Sequence, residues 1–100
     1  MHARVTTLEL DPDRLDEAVA QFEEQDLPTL RSIEGFRGFT LLLDRRSGKV
    51  VATSYWATQE HMQASEEAMQ VPRQRAAETG NAKGEPEIER FEVALDSFVK

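Results

Sequence analysis

Two strand-like stretches, GFRGFTLLLD at residues 35 to 44 and GKVVATSYW at 48 to 56, are joined by the short connection RRSG. Both are rich in β-branched, aromatic and aliphatic residues, and so short a Gly-containing link turns the chain straight back on itself. The pair therefore predicts an antiparallel β-hairpin. Within it, FTLLL places apolar residues at successive positions. Successive side chains of a strand point to opposite faces, so both faces of this strand are apolar and both need cover.

The flanking segments complete an alternating pattern. ARVTTLEL, residues 3 to 10, reads as a strand. Asp11 and Pro12 then supply an N-cap side chain and a first-turn proline, and Leu15, Ala18, Val19 and Phe22 recur at helical spacing, with Asp16, Glu17, Glu23 and Glu24 on the remaining surface. Pro28 should end or kink this helix at Leu27, Leu30 and Ile33 add one more packed turn, and Gly35 terminates it. After the hairpin, Thr58 can cap a second helix with Met62, Ser65, Met69 and Ala76 along one side, interrupted by Pro72. GNAKGEP is a loop by composition, and EIERFEVAL, residues 87 to 95, is a final strand with Phe91, Val93 and Leu95 on one face. The order β-α-β-β-α-β is that of an α+β, ferredoxin-like split βαβ fold with a four-stranded antiparallel sheet. Both helices of such a unit cover one face of the sheet, which leaves the other for a second copy of the chain. A homodimer is the simplest arrangement that covers FTLLL.

At 100 residues the chain predicts one domain, residues 1 to 100. No apolar run approaches the roughly 20 residues of a membrane span, and MHARVTT lacks the basic-then-apolar order of a secretion signal, so the expected location is the cytoplasm with no membrane partner. Without cysteine there is no thiolate nucleophile or Cys-based metal site, and His2 with His61 does not define a metal site. A formal net charge of -7 opposes nucleic-acid binding, and the basic pairs Arg45 with Arg46 and Arg73 with Arg75 are short. The acidic pairs Glu23, Glu24 and Glu66, Glu67 are adjacent in sequence, point in different directions on a helix, and read as solvated faces.

Across residues 3 to 95 the element order, GFRGFTLLLDR in the hairpin and SYWATQEHMQAS from strand end into helix resemble the antibiotic biosynthesis monooxygenase-like group of dimeric α+β barrels. The resemblance implies a homodimer whose sheets face each other, and in each protomer a pocket between sheet and helices. The group includes enzymes that oxidise aromatic polyketides with molecular oxygen and no bound cofactor, as well as haem-degrading enzymes. Trp56 matches the family's tryptophan at the end of the third strand, which lines the pocket in some members. The asparagine that precedes it in the cofactor-free oxygenases is missing, since the region here reads VVATSY. Haem-degrading relatives use an Asn in the first strand and a Trp and a His well inside the second helix. Here the first strand offers Thr6 and Thr7, the helix has no Trp, and His61 falls in its first turn. No haem or other cofactor is therefore expected.

For Trp56 the residues allow a sheet-to-helix anchor, a pocket wall, or both. His61 is either a half-exposed first-turn residue or, facing Trp56, a proton acceptor. Tyr55 alternates to the opposite side of the strand from Trp56, so one of the two faces the helices and the other the dimer. Met62 and Met69, a heptad apart, suit core packing and also an adaptable pocket wall. The candidate site is thus His61 and Tyr55 as proton-handling groups, with Trp56, Met62 and Met69 as contacts for a small aromatic ligand. Two functions fit: a cofactor-independent monooxygenase acting on an electron-rich aromatic, or a small-molecule binding domain of the same fold without chemistry.

Overall fold

The computed structural model describes residues 1–98. Strands β1 (His2–Glu9), β2 (Phe36–Asp44), β3 (Lys49–Trp56) and β4 (Glu87–Glu92) form one antiparallel sheet in the order β2-β3-β1-β4. Helical segments α1 (Leu15–Gln21) and α2 (Leu27–Ser32) lie between β1 and β2, and α3 (Gln59–Ala64) and α4 (Glu66–Thr79) between β3 and β4. This is the α+β split βαβ arrangement that the periodicity predicts.

The hairpin turn closes through the Gly48 N–H, which donates to the Asp44 carbonyl at 2.9 Å, while Asp44 Oδ1 accepts from the Arg46 N–H at 3.0 Å. Gly48 has φ +85°, and a Cβ there would stand 1.9 Å from the Leu10 carbonyl oxygen, so the backbone conformation and the close strand approach both require glycine. A bulge between Phe36 and Gly38 shifts the register of β2 on β3. One extra residue reverses the alternation, which is why Phe36 and Phe39, three apart, both pack on the helix-facing side.

Proline acts differently in the two helical regions. Before Pro28 the chain makes a wide π-type turn over Phe22–Asp26, with the Leu27 N–H donating to the Phe22 carbonyl, and Pro28 then occupies the first turn of α2, where no amide is needed. The helix is widened there rather than ended, and Leu30 is fully buried. In the second region the break falls at Ser65, not at Pro72, which lies buried within a continuous α4. Its missing amide costs one intrahelical bond and leaves the helix intact. β4 is also shorter than 87 to 95: it ends at Glu92, and residues 93 to 98 run on without regular pairing apart from the Val93 N–H donating to the Met1 carbonyl at 2.9 Å.

The helix-facing side carries two buried clusters, one of Leu8, Leu10, Leu15, Ala18 and Val50, the other of Leu30, Trp56 and Met62. The opposite face carries Ala3, Val5, Val51, Tyr55 and Phe91 by strand register, together with Leu42, which is 59% exposed. Both faces of FTLLL are thus apolar, and only one is covered by the chain's own helices. Among the described residues, no helix is long and apolar enough to cross a membrane.

Candidate functional site

Between the two clusters the sheet and helices leave a cavity of about 80 Å³. Its position follows from side-chain size: Ala52 on β3 lies opposite Ala18 of α1 and Ala76 of α4, and small residues facing one another across a layer leave space that Leu or Phe would fill. Thr79 Oγ1 donating to Gln21 Oε1 at 2.7 Å and the ion pair of Arg75 with buried Asp26 tie α4 to the first helical region and fix the span over this space. Most of the lining is apolar, with Phe22, Phe39, Leu41 and Met69 among it. The polar groups are Thr6, Ser54, Arg4 and Arg73.

Arg4 is the unusual member. Its position on β1 shares a face with Thr6, Leu8 and Leu10, and it is only 2% exposed. A buried guanidinium needs partners, and it finds them at the helix break. Nη1 donates to the Met62 carbonyl at 3.2 Å and to Ser65 Oγ at 2.9 Å, while Ser65 Oγ donates in turn to the Met62 carbonyl at 2.7 Å. Arg4 therefore caps the last turn of α3 from across the sheet, which stabilises an interruption at Ser65. The same Nη1 lies 3.2 Å from Glu66 Oε1.

Glu66 gathers two further arginines. Arg90 reaches its Oε1 through Nη2 at 2.8 Å and Nε at 2.9 Å, and Arg73 Nη2 lies 3.9 Å from Oε2. Burial alone would raise the Glu66 pKa, but its bonds to Arg90 and Arg4 outweigh burial and hold it below its ordinary value. Burial likewise pushes the Arg4 and Arg73 guanidiniums down, with Glu66 opposing. An arginine remains protonated under such shifts, so three positive charges share one carboxylate. Glu66 is thus no solvated partner of Glu67 but the centre of a charge cluster, because the helix turns it toward the sheet.

The five residues expected at a site separate. Met69 lines the cavity. Trp56 from β3 and Met62 from α3 meet between sheet and helices, packed together with Leu30 beside the cavity rather than among its lining. Trp56 is fully buried, meets Phe36 edge-on at 5.7 Å, and donates through Nε1 to Ser54 Oγ at 2.9 Å. Tyr55 points to the opposite face, where its ring meets Phe98 edge-on at 5.8 Å. His61 stands at the end of the sheet, its backbone N–H donating to the cap Thr58 Oγ1 at 3.1 Å and its ring packed so tightly on Gly35 that a Cβ there would come within 2.2 Å. Strand alternation and the first-turn position thus keep Tyr55 and His61 out of the cavity. The charged residues that do line it, Arg4 and Arg73, were legible in one respect: Arg4 is in phase with the inward side of β1, and Arg73 continues the Glu66, Met69, Ala76 stripe at helical spacing.

Neither His2 nor His61 lines the cavity, so neither imidazole stands there as a ligand for haem iron.

Residues 1–79 match the sequence profile described as antibiotic biosynthesis monooxygenase. Among curated proteins, the uncharacterised protein Rv2558 of Mycobacterium tuberculosis is 39% identical over 95 residues, covering 95% of this chain and 39% of its own length. The chain thus spans about two fifths of that relative. Among solved structures, the monooxygenase from the gene ActVA-Orf6 of Streptomyces coelicolor, in complex with nanaomycin D, superposes with a TM-score of 0.81 at 14% identity, over 99% of this chain and 92% of that one. The haem-degrader MhuD of Mycobacterium tuberculosis, with two haems bound in its active site, gives 0.74 at 22% identity, over 98% and 100%. A dimeric ferredoxin-like protein from an uncultured marine organism gives 0.70 at 11% identity, over 99% and 91%. Identities this low speak for the fold alone, whereas the profile match extends over most of the sequence. By that match, the chain belongs to the antibiotic biosynthesis monooxygenase family.

Proposed function

We propose that the protein is a cofactor-independent monooxygenase acting on a small aromatic molecule held between the sheet and the helices. The observation that carries this reading is an apolar cavity with two guanidiniums at its polar end, in a chain of this family. An electron-rich phenol can reduce oxygen unaided once it is anionic: a ring C–H becomes C=O, one oxygen atom enters the ring, the other leaves as water, and the four electrons and two hydrogens come from the substrate. Arg4 and Arg73 favour the anionic form electrostatically. Thr6 and Ser54 can orient its oxygens, and Met69 and Phe39 supply an apolar wall, with Trp56 and Met62 fixed behind. The Streptomyces monooxygenase that shares this fold is in complex with nanaomycin D, which supports a small-molecule guest here.

One observation favours the second reading, binding without chemistry. The ionisable side chains lining the cavity are arginines, which do not accept protons, so the substrate has to arrive as its anion or lose its proton to solvent. Oxygen uptake with 1,5-dihydroxynaphthalene separates the two. One O₂ consumed per hydroxynaphthoquinone formed, with uptake lowered by Arg73→Gln, is the expected result. Saturable quenching of Trp56 emission with no uptake above the protein-free rate would replace it with the binding reading.

We further propose that the protein is a homodimer built on the uncovered sheet face. The support is the exposure of Leu42 and Phe91 on one surface, on a fold that a dimeric protein shares.

A further inference from the structure

We infer that the cavity takes an aromatic carboxylate, with the carboxylate seated on Arg4 and Arg73 and the ring lying against Met69 and Phe39. The inference rests on the reading of the cavity as a small-molecule site and adds the chemical class of its guest.

Charge is the first argument. Arg4, Arg73 and Arg90 converge on the single carboxylate of Glu66, so the cluster is two positive charges in excess within a chain whose formal net charge is -7. Surface arginines tolerate such an excess because water screens it, but Arg4 is 2% exposed and the Arg73 side chain 15%. Buried charge of one sign is costly unless an opposite charge joins it.

Geometry is the second. Arg90, the most exposed of the three, makes the closest contacts with Glu66, while Arg73 stands 3.9 Å away, beyond hydrogen-bond reach. The bonds that hold Arg4 run through Nη1, at the end facing Ser65 and Glu66. The other N–H groups of its planar fork suit a carboxylate, which accepts two parallel bonds. Both arginines line the cavity, and the rest of its wall is predominantly apolar. A guest that fits is therefore divided in the same way, an acid at one end and a flat hydrocarbon body at the other.

The test titrates benzoate and benzamide, which share shape and differ in charge, into the full chain at neutral pH, with Trp56 emission and arginine Nε–H NMR shifts as readouts. Arg4 is built into the core, so Arg73→Gln serves as the deletion and Glu66→Gln as the opposite change. Benzoate is expected to bind at least about tenfold more tightly than benzamide, the preference falling toward unity in Arg73→Gln and widening in Glu66→Gln, where the competing carboxylate is gone. A variant that merely misfolds cannot give the widening. Equal affinity for the two probes, a narrowed preference in Glu66→Gln, or no saturable benzoate binding up to about 10 mM each overturns the inference. Oxygen uptake with dihydroxynaphthalene but no benzoate preference removes the carboxylate and leaves the oxygenase, while the converse result removes the oxygenase and leaves the acid site.

Discussion

The guanidinium carbon of Arg4 lies 5.6 Å from the centroid of the Trp56 ring. The two residues sit on neighbouring strands, and Ser54, the cross-strand partner of Arg4, accepts the Trp56 indole N–H. A buried cation over an indole face contributes on the order of 0.5–2 kcal/mol. It also places the only tryptophan within the electrostatic field of the cavity, so Trp56 emission is a local reporter of charge entering there.

Ser54→Ala is expected to leave the buried Trp56 Nε1–H without a partner. The cost of such an orphaned donor is about 1–3 kcal/mol, which for a chain of this length lowers Tm by several degrees or more. Thermal unfolding followed by circular dichroism measures it. A Tm within a degree of the parent would mean that the indole finds another acceptor.

Acid should weaken the fold through Glu66. Because its folded-state pKa lies below the ordinary value, ionised Glu66 contributes stability above its unfolded-state pKa, and that contribution is lost as pH falls through the lowered one. Glu66→Gln should accordingly be less stable than the parent near neutrality, with the gap in Tm closing on acidification through the carboxylate range. A gap that stays constant from pH 7 to about pH 3 contradicts this assignment.

Mass from light scattering after size exclusion is expected to be that of a dimer at micromolar concentration. Leu42→Glu places a charge on edge strand β2, on the sheet face that the helices leave open, and should give a folded monomer. A parent that elutes as a monomer would remove the sheet-to-sheet arrangement.

Haem titration should produce no stoichiometric, saturable Soret shift, since no histidine lines the cavity. A saturable shift abolished by His61→Ala would show that the ring leaves its seat on Gly35 to bind iron.

The sequence by itself determined the element order, because that order is written in local periodicity. The hairpin, the Asp11 and Thr58 caps and the inward stripes of both helices each depend on residues within a turn or two of one another. Tertiary structure decided the site. Pro72 carries the stronger local signal for a break, yet the helix parts at Ser65 because Arg4, 61 positions away in the chain, donates to the last turn of α3. Glu66 reads as one of a solvated pair until β1 and β4 bring Arg4 and Arg90 against it. The choice between Tyr55 and Trp56 for the helix-facing side was likewise open, since alternation fixes that they differ and not which points inward. Contacts between residues far apart in the chain settle all three, and for Ser65 and Glu66 a buried charge against its partners exceeds the local preferences that a reading of neighbouring residues can weigh.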